Sequence, residues 1–331
     1  MNPYNQDFPP PISKSSPVPM RRRELRYSAN LAGIGMILIT AVALLFRELF
    51  GVVFPLIREQ IPSQSMTAFL YAFSLIVFCI AFIVPCVFMS FWLRIPARIA
   101  YPMRAPRIGV LFAAIGICIG ARLVGALLVT RMSGLMELIT GGYTPTMPYF
   151  PTPEETGVFI IYVINVVIAA SVFEELLFRG VMLQSLRRFG DHFAVVTTSI
   201  LFALMHGNLL QGPYALVLGL LIGYFVVYTG SLWTGIIMHA AHNLISVLFG
   251  YFMNNMSEAN FEALASIFFI ASILLAVLAL VYLRSKYGSV FYLRRGSFPL
   301  KERQKHFAFF TSPFVLIAIG IAIYEIVGHF A

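Results

Sequence analysis

Long runs of apolar residues, separated by short polar and basic segments, dominate the chain. A helix needs about 20 mostly apolar residues to cross the hydrocarbon core of a bilayer, and nine runs approach or exceed that length. They are residues 31–54, 68–93, 108–130, 157–183, 193–210, 213–228, 232–250, 263–283 and 307–329. The pattern predicts an all-α fold, a polytopic transmembrane helical bundle of about nine spans. Because 193–210 and 213–228 are short and carry polar groups, tilted or re-entrant helices also fit them.

The distribution of basic residues predicts how these spans are oriented. Loops that stay in the cytoplasm are enriched in Lys and Arg. With nine spans and the N-terminus inside, the inner segments hold eighteen Lys and Arg residues, whereas the outer loops hold only Arg58 and Arg131. Removing one span would invert every later loop and abolish this asymmetry. We therefore predict an N-in, C-out multi-pass protein, with the plasma membrane as its expected location.

Composition supports this class and excludes others. The chain is 59% hydrophobic and 11% charged, whereas charged residues make up about a quarter of an ordinary soluble domain. Topology and anionic lipid headgroups account for the net charge of +9, so the lipid bilayer is an expected partner and nucleic acid is not. The sequence contains no GxxxxGK[ST] or GxGxxG motif, so no nucleotide is expected. The three cysteines lie in apolar runs without metal-ligand spacing and are expected to be buried thiols.

The same pattern divides the chain into four regions. Residues 1–30 are predicted to form a disordered Pro-rich segment and then a basic cytoplasmic tail, and residues 31–130 to form three N-terminal transmembrane helices. Residues 157–250 form a helical core that carries the candidate chemistry. Residues 251–331 form two C-terminal transmembrane helices with a basic cytoplasmic loop at 284–306. No small-residue cleavage site follows the first apolar run, so we predict that this span is not removed as a signal peptide.

Three polar clusters lie at membrane depth, where ionisable groups are costly and usually face the bundle interior or a water-filled cavity. The clusters are Phe173–Gly180 late in the fourth span, Phe202–Asn208 and His239–Asn243. At 1.5 Å per helical residue, Glu174, His206 and Asn243 lie roughly 18 to 22 Å from the cytoplasmic ends of their helices. His239 is shallower, at roughly 12 Å, and shares a helical face with Asn243. We therefore expect the clusters to converge on one site.

Helix geometry separates the two neighbouring glutamates. Glu175 and Arg179 are four residues apart, which places them on one face in the order that favours an ion pair. Glu174 lies about 100° away around the helix and lacks that partner. We therefore expect Glu175 to balance the charge of Arg179 and Glu174 to act as a general base.

The spacing of these clusters resembles that of the CPBP family of intramembrane peptidases, which groups type II CAAX prenyl endopeptidases with bacteriocin-processing and immunity proteins. Its signatures EExxxR, FxxxH and HxxxN occur here in order on successive hydrophobic segments. They read Glu174-Glu175-x-x-x-Arg179, Phe202-x-x-x-His206 and His239-x-x-x-Asn243. The resemblance covers about 157–250, which is under a third of the chain, and each signature alone is a weak signal.

The resemblance implies an endopeptidase that hydrolyses peptide bonds of membrane-anchored or hydrophobic substrates, including CAAX-type ones. Glu174, helped by His206, would activate water, and Glu175 and Arg179 would shape the helix. His239 and Asn243 would stabilise the tetrahedral oxyanion. Because the family is also described as metallopeptidases, the resemblance equally allows Glu174, His206 and His239 to bind a catalytic Zn²⁺.

Other interpretations of the same residues stay open at this stage. The polar cluster can order the bundle of a non-proteolytic immunity or partner-binding protein, or serve a proton-coupled transporter. Phe202 and His242 are expected to be structural. The histidines at the membrane edges, His192, His306 and His329, are expected to be solvated. A buried ion pair that locks helix packing is the alternative role for Glu174, Glu175 and Arg179.

Overall fold

The computed structural model describes residues 18–141, 153, 155–288, 290–293 and 298–328. Every regular element in these residues is helical, which confirms the predicted all-α bundle. The main helices are α1 Val18–Ile57, α2 Met66–Leu93, α3 Ile108–Thr140, α4 Thr156–Phe189, α5 Asp191–Met205, α6 Gln211–Thr229, α7 Leu232–Asn255, α8 Glu258–Tyr287, α9 Glu302–Phe310 and α10 Pro313–Gly328. One-turn helices at Arg58–Gln60, Ser63–Ser65 and Ala97–Ala100 lie in the connecting loops.

By length and composition alone, the described residues contain fewer clear spans than the nine predicted runs. Among the described residues, seven helices are long and apolar enough to cross a bilayer: α1 to α4 and α6 to α8. Helices α9 and α10 pass the same test as a pair bent by 72°, which makes the number up to eight. The remaining predicted run forms α5, whose 15 residues cover roughly 22 Å of a hydrocarbon core about 30 Å thick. The N-in, C-out orientation stays a prediction.

Helix α1 begins earlier than the predicted first span. The prediction placed its start at residue 31, but the helix already includes Val18 and the basic run that follows. Leu25, Ala29, Ala32 and Met36 explain the extension, because these residues recur at helical spacing and are all buried. The Pro-rich residues 1–17 lie outside the described part of the chain.

Helices α4 to α7 form the interior of the bundle. Helix α5 packs along α6, and α7 packs against α3, α4 and α6. Phe178, Phe193, Phe202 and Phe225 are fully buried in the resulting core. Helix α1 packs against α2 and α10, and α3 packs against α8. Large apolar side chains on these outer helices are exposed, as expected of surfaces that face lipid.

Candidate active site

Helix α4 is irregular on both sides of its two glutamates. Ile164–Ala169 and Leu176–Met182 are π-helical, and the segment Ala170–Glu175 between them is α-helical. Each π-helical turn rotates the side chains that follow it and shifts the backbone hydrogen bonds. Such segments occur frequently at functional sites. The irregularity therefore sets the direction in which Glu174 and Glu175 leave the helix.

Glu175 and Arg179 form a fully buried ion pair. Nη1 of Arg179 lies 2.7 Å from Oε1 of Glu175, and both side chains have no exposed surface. Nη2 of Arg179 donates to the carbonyl of Gly219 at 3.3 Å, and its guanidinium carbon lies 4.3 Å from the centre of the Phe202 ring. This pair is the one expected from the four-residue spacing, and it connects α4 with α5 and α6.

His239 of α7 lies between the two glutamates. Its Nδ1 is 2.9 Å from Oε1 of Glu175, so Nδ1–H donates to the same oxygen that accepts from Arg179. Its Nε2 is 3.9 Å from Oε2 of Glu174. Because His239 is 4% exposed and Glu174 is 7% exposed, these groups meet inside the protein rather than at its surface.

The interhelical packing around Glu175 leaves no room for a larger residue at one α7 position. A Cβ added to Gly235 would lie 2.7 Å from Cγ2 of Val226 and 3.0 Å from Oε2 of Glu175. Glycine at this position therefore lets α7 approach α4 and α6 closely enough for His239 to reach Glu175.

Glu174 and His206 line one cavity of about 600 Å³. Helix α5 ends at Met205, because Gly207 adopts a φ of 55° that favours glycine, and His206 stands at this end. Nδ1 of His206 lies 2.8 Å from the Phe202 carbonyl. Since a carbonyl only accepts, Nδ1 carries the hydrogen and Nε2 of the neutral ring is an acceptor. Among the described residues, Oε2 of Glu174 and Oε2 of Glu175 are both buried without a hydrogen-bond partner, but only Glu174 of the two lines the cavity.

Asn243 lies one turn beyond His239 on α7 and bonds to helix α4. Its Nδ2 donates to the carbonyl of Val166 at 2.9 Å and lies 3.4 Å from Oγ of Ser171. The acceptor Val166 belongs to the first π-helical segment of α4. Asn243 therefore holds α7 against the irregular part of the helix that carries both glutamates.

Several polar neighbours of this cluster could not be assigned from the sequence. Nη1 of Arg122 on α3 donates to the carbonyl of His242 and to Oγ of Ser246, each at 3.1 Å. The hydroxyl of Tyr214 lies 2.8 Å from Nε2 of His242. These contacts agree with the structural role expected for His242. Gln211, at the start of α6, lines the cavity beside Glu174 and His206, and no motif in the sequence marks it.

The predicted zinc ligands are close together but are not spaced as a metal site in this arrangement. Among the described residues, one group brings three ligand atoms within 4.8 Å of one another: His192, Glu302 and His306. Glu174, His206 and His239 do not form such a group, although the structure describes all three. In addition, Nδ1 of His206 and Nδ1 of His239 are both used in hydrogen bonds. The donor types suit zinc, whereas their separation does not fit three bonds to one ion.

The group of His192, Glu302 and His306 lies at the other end of α5. His192 and His206 are separated by fourteen positions of the sequence, or roughly 21 Å along the helix. Nζ of Lys305 is 2.5 Å from Oε1 of Glu302, and this lysine also donates to the carbonyl of Phe189. The buried ammonium group already compensates the carboxylate, so a cation is not needed there to balance its charge.

The fold and the site together define an integral multi-pass membrane protein in which two glutamates, an arginine and two histidines are enclosed by the helices of the bundle. Residues 156–245, which run from α4 into α7, match the family model described as type II CAAX prenyl endopeptidase Rce1-like. This match confirms the resemblance predicted from the three signatures. It supports a CAAX-type intramembrane protease at the level of the family. Neither the curated proteins nor the solved structures gave a match.

Proposed function

We propose that this protein is an intramembrane endopeptidase that hydrolyses peptide bonds of prenylated, CAAX-type or other hydrophobic membrane-anchored substrates, with the plasma membrane as its location. The observation that carries the proposal is the pairing of Glu174 and His206 in one cavity, with a buried carboxylate oxygen that lacks a hydrogen-bond partner. A buried polar atom without a partner is costly. A water molecule held between this oxygen and Nε2 of His206 would satisfy both atoms.

Ten of the fifteen residues that line the cavity are apolar, and the polar ones are Arg47, Ser74, Glu174, His206 and Gln211. Its apolar wall is formed by α1 and α2, which contribute Phe46, Phe50, Phe73, Val77 and Phe78. Ligand pockets of this kind bind a hydrocarbon group against the apolar wall and orient the reacting group with a few polar side chains. The lining therefore supports a substrate that combines a long apolar substituent with a peptide bond.

In the proposed mechanism, Glu174 accepts a proton from water as the oxygen attacks the carbonyl carbon of the substrate. The bond from carbon to the leaving nitrogen then breaks, and Glu174 passes the proton to that nitrogen. His206 orients the water through Nε2. Glu175 does not take part in this transfer, because its Oε1 is bonded to Arg179 and His239 and, unlike Glu174, its side chain does not line the cavity.

The oxyanion that forms during attack requires hydrogen-bond donors, and we assign this role to His239 and Asn243. Nε2 of His239 lies 3.9 Å from Oε2 of Glu174 and can donate when it carries a hydrogen. The amide nitrogen of Asn243 has two hydrogens. One donates to Val166 at 2.9 Å and the other to Oγ of Ser171 at 3.4 Å, so the second, longer bond is the one that would be exchanged for a bond to the substrate.

We assign water activation to Glu174 without a metal ion, because the spacing of Glu174, His206 and His239 favours this alternative over the zinc site. Zinc at these residues stays a prediction that metal analysis can decide. We expect purified protein to contain less than one zinc per chain and to keep its activity after dialysis against a chelator. Stoichiometric zinc that is lost in Glu174→Gln but kept in Glu302→Gln would contradict the metal-free mechanism.

The proposed substrate class can be tested with purified protein in liposomes and a prenylated CAAX-type peptide. We expect cleavage products, identified by their mass, and slower cleavage of the unprenylated peptide. Val77→Trp fills the apolar part of the cavity and should raise KM by roughly tenfold with little change in kcat, because the change lies away from the reacting atoms.

Val87→Trp is the matched control for this substitution. Val87 lies on the same helix, but its side chain is 63% exposed and does not line the cavity. Its replacement should leave both KM and kcat unchanged. Equal effects of the two substitutions would show that this cavity does not hold the substrate.

A further inference from the structure

A second cavity of about 860 Å³ lies where the start of α1 meets α9. Three cationic side chains line it: Arg22 from α1, and Lys301 and Arg303 from the start of α9. No carboxylate lines this cavity, and none of the described acidic residues forms an ion pair with these three cations. The positive charge at this place therefore lacks a partner within the described part of the protein.

The remaining lining of the cavity consists of three apolar residues and two polar ones, Gln304 and His306. Leu300, Phe307 and Phe310 form one wall, and the side chain of Phe307 is 61% exposed. A ligand that fits both parts of the lining combines an anionic group with a hydrocarbon portion. A free phosphate would satisfy the cations but would leave the aromatic wall uncovered.

The position of α9 relative to the bilayer favours a lipid over a soluble ligand. The axis of α9 is bent by 72° from that of α10, and α10 is strongly apolar. If α10 crosses the hydrocarbon core, α9 lies close to the plane of the membrane surface. Helices with basic and aromatic side chains in this position lie at the level of the lipid headgroups.

We propose that this cavity binds a phospholipid with an anionic headgroup. Its phosphate lies among Arg22, Lys301 and Arg303, and its acyl chains pass along Phe307 and Phe310. Basic pockets near the cytoplasmic ends of transmembrane helices bind such headgroups, and this cavity includes the start of α1, which the basic N-terminal segment predicts to lie in the cytoplasm. The inference does not depend on the proposed peptidase activity.

Native mass spectrometry of the full chain, released from detergent, can test this site. The probes are phosphatidylglycerol, phosphatidylcholine with the same acyl chains, and inorganic phosphate. Each Lys or Arg near an anionic surface contributes about fivefold to binding. We therefore expect the triple variant Arg22→Gln, Lys301→Gln, Arg303→Gln to bind phosphatidylglycerol about 100-fold more weakly than the unmodified chain.

A control triple variant removes the same charge from exposed basic residues outside the cavity: Arg98→Gln, Arg284→Gln, Lys286→Gln. It should bind phosphatidylglycerol as the unmodified chain does. Equal loss in both triple variants, equal binding of the two phospholipids, or occupation by inorganic phosphate alone would overturn the proposal. If the first triple variant does not fold, each of the three single variants should bind phosphatidylglycerol about fivefold more weakly. An unchanged affinity in all three would also overturn the proposal.

Discussion

Replacing Glu174 by Gln is expected to reduce peptide hydrolysis by roughly 10²- to 10⁴-fold, the usual contribution of a general base, while the amount of folded protein in the membrane stays the same. The two side chains have nearly the same shape, and Oε2 of Glu174 has no hydrogen-bond partner that the substitution would remove. Cleavage of the prenylated peptide in liposomes measures the activity, and gel filtration of the extracted protein measures the amount of folded protein.

Glu262→Gln provides the control for this experiment, because Glu262 is an exposed glutamate on α8 that does not line the cavity. It should change neither activity nor yield. If Glu174→Gln loses activity and folded protein to the same extent, the carboxylate is structural. The cluster would then order the bundle of a non-proteolytic immunity or partner-binding protein.

Replacing Glu175 by Gln is expected to have the opposite effect. It should lower the amount of folded protein rather than the catalytic activity of the molecules that fold. One oxygen of Glu175 accepts hydrogen bonds from Arg179 at 2.7 Å and from His239 at 2.9 Å. Removing the negative charge leaves the guanidinium of Arg179 buried without its counter-ion. Breaking a buried ion pair in this way costs about 3–5 kcal/mol of folding free energy, which a thermal unfolding curve of the purified protein would detect.

A double variant separates the charge effect from a general packing defect. Glu175→Gln combined with Arg179→Met removes both charges and keeps an unbranched apolar side chain over the Phe202 ring. It should recover part of the stability that the single variant loses. Full yield of Glu175→Gln together with loss of peptide hydrolysis would mean that the roles of the two glutamates are exchanged.

The hydrophobic pattern predicted the helices of the bundle well. Each predicted run lies on a helix or a helix pair of the structure, because the length of an apolar run is directly related to the thickness of the bilayer. The predicted run at residues 193–210, for which the sequence also allowed a tilted or re-entrant helix, forms the short helix α5 and includes the turn after Met205. Gly207 and Asn208 lie in that turn. Because single polar or glycine residues also occur within membrane spans, these two residues did not mark the end of the helix in the sequence.

Helical spacing predicted the contact between Glu175 and Arg179, since it involves one helix. For His239 and the two glutamates, the sequence predicted only that they converge at a similar depth in the membrane. It did not predict which of their atoms are in contact. Spacing could not predict that Asn243 donates to Val166, because this bond depends on a π-helical turn in α4. Nor could it place the apolar cavity wall, which α1 and α2 supply from outside the motif-bearing segment.

In the proposed mechanism, water bound beside Glu174 attacks the peptide bond itself. A single turnover of the prenylated peptide in H₂¹⁸O, with mass analysis of the product and of the protein, can test this step. We expect one ¹⁸O atom in the new carboxylate of the product, none in Glu174, and no product from Glu174→Gln. Unlabelled product with ¹⁸O in a glutamate of the protein, or normal cleavage by Glu174→Gln, would contradict it.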